Sequence, residues 1–582
     1  MTLRAFYEDE LTYLRELGSV FAHANPKLAA FLGRDAVDPD VERLLEGFSF
    51  LVARLRQRLD DELPELSHAL VRLIWPHYLR PIAPLTMLAF EAGAAATQAT
   101  VRIPSGMQVR SRPIEGVSCA FATCYPLEVL PLSIAGVEFE NRPTSARLIF
   151  RTRAIGKASM QALAGGRMRL FFSAERDTQV SRTLLLWMLR YIRQIECTSE
   201  NGAKSRLTQA DVRPVGFAEG EAVLPWPTNT FSGFRLLQEY LSFPAKFMFV
   251  DLTGLESVAA QGGKSFTIAI DFSRSFPDQF RVSDANIRLN CVPAINLFPH
   301  DANPIRIDQA KGEYRVLPVG GASYSLNSIE KVAGYKQGQP KRQNYTPFES
   351  FRHDLPGDPS GGLFYRERVR PSVLGRGADT YISFVTRLDE IADAGVEVVS
   401  IGLKCSNGPI ADRLPIGSID QATAETPNNV TFSNITTVSS EVAAPIGDNL
   451  MWRLIANLAR NYGSLIDIEA LRSVIAAYDF RAVNDTQARR RLELLLESLG
   501  SFDTEPRDAV VRGIPIRMRH ISLSISESKL GGESEMFLLG SVLDAFFSNY
   551  ASVNSLHQFA VRGAETKAIY EWPTRSGTGV LS

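Results

Sequence analysis

The chain has 582 residues, too many for one hydrophobic core, and at about 150 residues per domain it should hold three or four. Its 63 lysines and arginines face 64 aspartates and glutamates, so it lacks the overall basic field that draws in nucleic acid or an anionic membrane. At 45% hydrophobic and 22% charged residues, the composition is that of a globular protein and not of a disordered chain.

The opening stretch, MTLRAFYEDELTYLREL, carries acids and no apolar h-region, so no secretory signal is expected. Within it Tyr7, Leu11, Leu14, Gly18 and Phe21 recur at spacings of 4, 3, 4 and 3, the seam of a helix that stops at Pro26. The next helix has Asp38 as its N-cap, Pro39 in first place, and Asp40 and Glu42 in the turn where the dipole favours acids. Leu45, Phe48, Val52, Leu55 and Leu59 form its seam, widened by Leu44 and Leu51. Pro64 is expected to break or kink it, with a third helix carrying Leu66, Leu70, Leu73 and Ile74 up to Trp75-Pro76. The ordinary account of two such seams is packing within one domain. Gly47 and Phe50, on the side away from the seam, argue instead for a helix sandwiched between neighbours, some of them supplied by a partner.

From about residue 84 the period changes to that of strands. SFTIAIDF (265–272) and VSIGLKCS (399–406) each alternate one buried and one wet face. In IPIRMRHISLSIS (514–526) the apolar phase shifts, which implies a bulge or break near Arg519-His520. Helices are expected at 180–193 and 234–241, and TLLLWMLRYI (183–192) is too short for a membrane span and is interrupted by Arg190. The Gly/Pro-rich stretch 335–362 reads as a long loop, and 406–444 as loops and edge strands. Long helices return after 448.

Chemistry-bearing patterns are weak. GGKS at 262–265 has Val258 where a phosphate-cradling loop needs glycine, and a strand behind it where that loop needs a helix, so a hairpin turn is expected. Cys119 and Cys124 lack zinc-pair spacing and read as buried small residues; Cys197, Cys291 and Cys405 make the count odd, as suits a reducing compartment. His77, in WPHYLRP, reads as a packed or capping histidine at a helix end. Asp60-Asp61 reads as a solvated helix face. No cofactor, metal or catalytic site is expected.

Several stretches together resemble the TssF family (also ImpG or VasA) of type VI secretion baseplate subunits. They are FYEDELTYLRELGSVFAHANPKLAAFLG with DPDVERLLEGFSFLVARLRQRLDDELPEL and LIWPHYLRPIAP, then FRLLQEYLSFPAKFMFVDL, LNCVPAINLFPHDANPIRID, WRLIANLARNYGSL and FLLGSVLDAFFSNYASVNSLHQFAV, closing on WPTRSGTGVL. CSNG (405–408) departs from a Cys-Thr-Asn form, and Pro515 in RGIPIRMR stands where an ordinary strand residue is expected.

The resemblance implies structural work. Two copies would join one TssG in a wedge, six wedges would surround the hub and spike, and TssK and TssE would join the same platform. The N-terminal helices would enter a shared core bundle. Tyr7, Leu11, Leu14, Gly18, Phe21, Leu45, Gly47, Phe48, Phe50, Val52, Leu55 and Leu59 are then the expected partner-facing residues. The location implied is cytoplasmic, at the inner face of the inner membrane, without insertion into it.

The fold expected is multidomain α+β. It has a helical segment at 1–82, β-rich domains at 83–280 and 281–445, and a mixed α/β region at 446–582. Two rival readings are a stand-alone hydrolase, which needs a pocket with a perturbed acid/base pair, and a binding scaffold, which needs an aromatic-lined groove.

Overall fold

The computed structural model describes residues 7, 11, 12, 14, 39–93, 100–173, 177–227, 230–307, 311–336, 342–350, 363–372, 377–385, 397–446, 467–511, 514–550 and 556–576. Its first long element is a 36-residue helix, Pro39–Ile74. Pro39 opens it, as a residue with preset φ and no N–H to lose should. The expected break at Pro64 does not occur. A proline removes only the one bond its own nitrogen would donate, and the turns on either side continue. Pro76 does end the helix: it drives Trp75 to φ −137° and ψ 63°, and a 3-10 turn, Pro76–Leu79, follows.

Five sheets contribute to one core that runs in sequence from Val71 to Trp572: the pair Val101–Ile103 and Leu127–Val129, a C-terminal sheet built on Ile514–Ile525 and Leu556–Gly563, and three others. In the first, Leu85–Ala92 lies between Val430–Asn434 and Cys291–Ile295, followed by Ala120–Thr123 and Gln108–Arg110. The second centres on Ser265–Phe272, where Phe266, Ile268, Ile270 and Phe272 are buried as their alternation requires. The third joins Met168–Phe172 to Phe249–Leu252 and Ile287–Leu289. Helices Thr178–Arg190, Gly233–Ser242, Ile468–Tyr478 and Glu533–Tyr550 contribute to the same core.

A second core sits inside a closed sheet. Strands Phe298–Asp301, Glu397–Ser406, Ser325–Lys336, Gln343–Pro347, Phe364–Pro371, Ala378–Val385 and Tyr314–Arg315 neighbour one another in that order. The chain beyond Arg315 bonds back to the first strand's end: Asn303 N–H donates to Leu317 O (2.8 Å) and Val319 N–H to Asp301 O (3.0 Å). The result is a small barrel filled by Val332, Tyr345, Ile382, Val399, Ile401, Leu403 and Cys405. Closure removes the open edges that would otherwise invite pairing.

Three expectations are corrected here. The stretch 335–362 is not one loop: Ser325–Lys336 runs into it, Gln343–Pro347 is a barrel strand and Phe348–Ser350 a 3-10 turn, while 337–341 and 351–362 lie outside the described residues. Strand Ile514–Ile525 has no bulge at Arg519-His520; its register against Leu499–Val511 shifts only between Leu499 and Phe502. Among the described residues, pairing with Leu556–Gly563 begins at Met518, and residues 514–517 pair on one side only, with Leu499–Val511. Pro515 falls in that one-sided stretch, where a missing N–H is tolerated. Finally, GGKS joins a short helix, Glu256–Gln261, to a strand through Gly262 and Gly263 at φ 66° and 92°, and is not a hairpin.

Buried asparagines join the parts. Asn290, at φ 54°, turns the chain from one sheet into the next. Its side chain meets Leu130 twice, as acceptor from N–H and donor to C=O, each at 2.8 Å. At the barrel's end Asn407 N–H donates to Asn296 Oδ1 (2.6 Å), and Asn296 Nδ2 donates to Asn407 Oδ1 (2.9 Å) and Ala120 O (2.7 Å). Asn407 Oδ1 also accepts from Ala120 N–H at 3.3 Å. Replacing Asn407 by Ala strands two buried donors, so Asn407→Ala should lower stability by about 2–4 kcal/mol in urea unfolding. The exposed Asn429→Ala should stay within about 0.5 kcal/mol of wild type.

Candidate assembly surface

At 1.5 Å per residue the long helix spans about 54 Å. Among the described elements its principal contacts are both at its foot: the turn Pro76–Leu79 that follows it and the barrel turn Phe348–Ser350. The foot is an aromatic socket. The His77 ring lies 3.7 Å from Trp226 and stacks at 6.3 Å on Tyr478. Tyr78 meets Tyr478 and Phe480 edge-on at 5.9 and 5.0 Å, and its hydroxyl donates to Ala477 O at 3.0 Å. Burial lowers the His77 pKa to about 3, so the ring is a neutral packing group, as its sequence setting suggested. On the barrel side, an Arg72 Nη1 hydrogen donates to the Glu367 carbonyl and Nη2 lies 3.7 Å from the Glu367 carboxylate; Val71 is fully buried in the main core. His68 bonds the Ile446 backbone, and burial lowers its pKa to about 4.

The helix has a different environment near its start. Leu44, Phe48 and Leu51 are 73%, 57% and 62% exposed, and they stand at i, i+4 and i+7 on one face. Phe50 is 47% exposed and Gly47 is also open. Leu45 and Val52 are half-buried, while Ser49 and Ala53 are fully buried. The expected seam therefore divides: its Leu45–Ser49–Ala53 side is covered and its Leu44–Phe48–Leu51 side is bare. Tyr7, Leu11 and Leu14 are half-buried helical positions. Gly18 and Phe21, and the side chains of Leu55 and Leu59, lie outside the described residues. Large apolar side chains thus stand open on one face of the helix.

The titratable groups are engaged in structure. Glu239 and Lys246 are completely buried as an ion pair, and Glu239 also accepts from the N–H groups of Val223 (2.7 Å) and Leu224 (3.1 Å). Desolvation lowers the Lys246 pKa while the pairing opposes it. Sequence reasoning did not single this pair out; the signal was a glutamate and a lysine inside the apolar run FRLLQEYLSFPAKFMFV. The GGKS lysine, Lys264, donates to the carbonyls of Gly156 (3.1 Å) and Ala158 (2.7 Å). All five cysteines are free thiols, four buried and Cys124 half-buried. Burial pushes Cys119 up to about 11 and Cys197 and Cys405 to about 12, the reverse of an activated nucleophile. Among the described residues no group of three His, Cys, Asp or Glu side chains is arranged for a metal, and no helix is long and apolar enough to cross a membrane. A groove of about 390 Å³ on the barrel wall is lined by Pro299, His300, Asp301, Glu330, Gly402, Leu403 and Lys404, with Lys404 and Glu330 at 3.8 Å.

The family model described as "Type VI secretion system, TssF" matches residues 1–579. The chain is 27% identical to the type VI secretion system component TssF1 of Pseudomonas aeruginosa (strain PAO1) over 633 aligned positions, 99% of each chain. Among solved structures, it is similar to a chain of a type VI secretion system TssK-TssF-TssG baseplate subcomplex, with TM-score 0.74 and 26% identity over 93% of this chain and 100% of that one. It is also similar to a chain of the baseplate complex from the type VI secretion system, with TM-score 0.58 and 26% identity over 100% of both.

Side chains bare in the isolated chain contribute little to its stability. A triple Leu44→Ser, Phe48→Ser, Leu51→Ser chain should unfold within about 1.5 kcal/mol of wild type, at about 0.5 kcal/mol per exposed site. It should bind less of a fluorescent hydrophobic dye and be more soluble.

Proposed function

The chain belongs to the TssF family of the type VI secretion system, and from that premise we propose that it is a non-enzymatic structural subunit of the baseplate wedge. Two copies join one TssG, the wedge meets TssK and TssE, and the assembled ring surrounds the hub and spike from which sheath and tube grow. The protein works in the cytoplasm at the inner face of the inner membrane and does not insert into it.

One observation carries this reading: large apolar side chains on one face of the long helix stand bare at helical spacing, at Leu44, Phe48 and Leu51. Knobs so placed fit the holes of helices from a second copy and from TssG. The exposed Gly47 lets a neighbouring backbone come close, and the open Phe50 beside it offers a further knob. A permanent interface of this kind buries on the order of 2,000–5,000 Å² and is more apolar than a transient one. The solved relatives' own assemblies, a TssK-TssF-TssG subcomplex and a baseplate complex, support the choice of partners.

A charge placed in the stripe separates assembly from folding. Phe48→Asp should leave the unfolding midpoint of the isolated chain nearly unchanged. In the assembled bundle it buries an unpaired carboxylate and should cost several kcal/mol, at least a hundredfold in affinity. Co-purification with TssG reads this directly. A Phe48→Asp chain that still yields a full two-to-one complex removes the stripe from the interface.

A further inference from the structure

We propose that Arg72 is a positioning residue for assembly, which fixes the direction in which the long helix leaves the body. This deepens the wedge reading and rests on it.

The junction between helix and body is free to turn. Pro76 ends the helix, and Trp75, at φ −137° and ψ 63°, belongs to neither helix nor strand. A helix attached through such a residue can swing about a few backbone dihedrals unless something off the main chain holds it. The aromatic socket holds the turn after the helix, not the helix: its contacts are made by His77 and Tyr78. The helix itself is gripped one turn earlier, from the barrel. Arg72 reaches the Glu367 carbonyl with one nitrogen and lies 3.7 Å from that residue's carboxylate with the other. Its side chain is only 16% exposed and that of Glu367 20%, so neither is a loose surface group. The barrel is in turn locked to the body next to the same foot, where Asn327 Nδ2 donates to Pro81 O at 2.8 Å. Helix, barrel and body meet within a dozen residues, and Arg72 is the polar link between the first two.

The lever arm makes that link matter. From Arg72 to Phe48 is 24 residues, about 36 Å at 1.5 Å per residue. A swing of about 10° displaces Phe48 by about 6 Å, and neighbouring knobs on a helix face are about 5–6 Å apart. So small an angular error puts each knob where the next hole should be. A correctly folded chain with a loose helix would therefore present the right residues in the wrong place.

The test reads orientation and assembly separately. Spin labels at Glu46→Cys on the helix and Arg366→Cys on the barrel report their distance by pulsed electron resonance in the isolated full chain. Both sites are exposed, whereas four native thiols are buried and the fifth is half-buried. Wild type should give a narrow distribution. Arg72→Ala should broaden it at least twofold and reduce co-purification with the helical partner at least fivefold, while Arg72→Lys, which keeps a charged donor, should recover much of both. An Arg72→Ala distribution as narrow as wild type overturns the proposal. So does a fall in melting temperature with the distribution unchanged, because Arg72 then serves stability alone. Failure of the wild-type chain to meet its partner would instead refute the wedge reading, and the distances would still decide the role of Arg72.

Discussion

The long helix depends on its foot. Residues Trp75 to Leu79 turn the chain out of the helix and bury two aromatic rings against Trp226, Tyr478 and Phe480, side chains that come from two distant parts of the sequence. Because that socket belongs to the main core, the helix is carried by the best-packed part of the molecule. Near its start the helix is covered on its Ser49–Ala53 side, and the Leu44–Phe48–Leu51 face finds no cover within the described chain. Strong anchorage and a bare tip are the two properties a component of a shared bundle needs. A helix packed along its full length would have no surface to offer.

The rest of the polar interior serves the same purpose of holding parts in register. The pair Glu239–Lys246 ties a buried helix to the loop beneath it, and the asparagines at 290, 296 and 407 fix where one sheet gives way to the next. Buried groups of this kind add little net stability when satisfied and cost much when broken. They suit a molecule whose parts must keep fixed relative positions. Nothing about their geometry points to turnover: the buried carboxylate of Glu239 is spent on backbone N–H groups, and thiols such as Cys119 and Cys197 are held protonated.

Local patterns were legible in the sequence and long-range ones were not. The helix seams and the strands at 265–272 and 399–406 follow from period alone, and Trp75-Pro76 correctly marked a helix end. Of the break or kink expected at Pro64, the break does not occur, because the turns on either side of the proline continue regardless. Gln343–Pro347 was missed because Tyr345 is its one buried residue, so its composition resembles a loop. The phase change near Arg519 was seen, but the bulge expected there is absent; among the described residues the pairing with Leu556–Gly563 begins at Met518, a long-range feature that local period does not carry. Barrel closure rests on bonds such as Asn303 to Leu317 that leave no trace in composition. The stripe on the long helix was foreseen as a whole; that one side of it is covered and the other bare required coordinates.

The central claim is that partner helices cover the bare face near the start of the long helix. Hydrogen–deuterium exchange over residues 43–54, in the chain alone and in its complex with TssG, tests it most directly. Residues 43–54, bare on one face, should exchange faster in the isolated chain than once assembled, while strand 265–272 exchanges alike in both states. Equal rates over 43–54 in a complex that has demonstrably formed would contradict the account and move the interface elsewhere on the molecule.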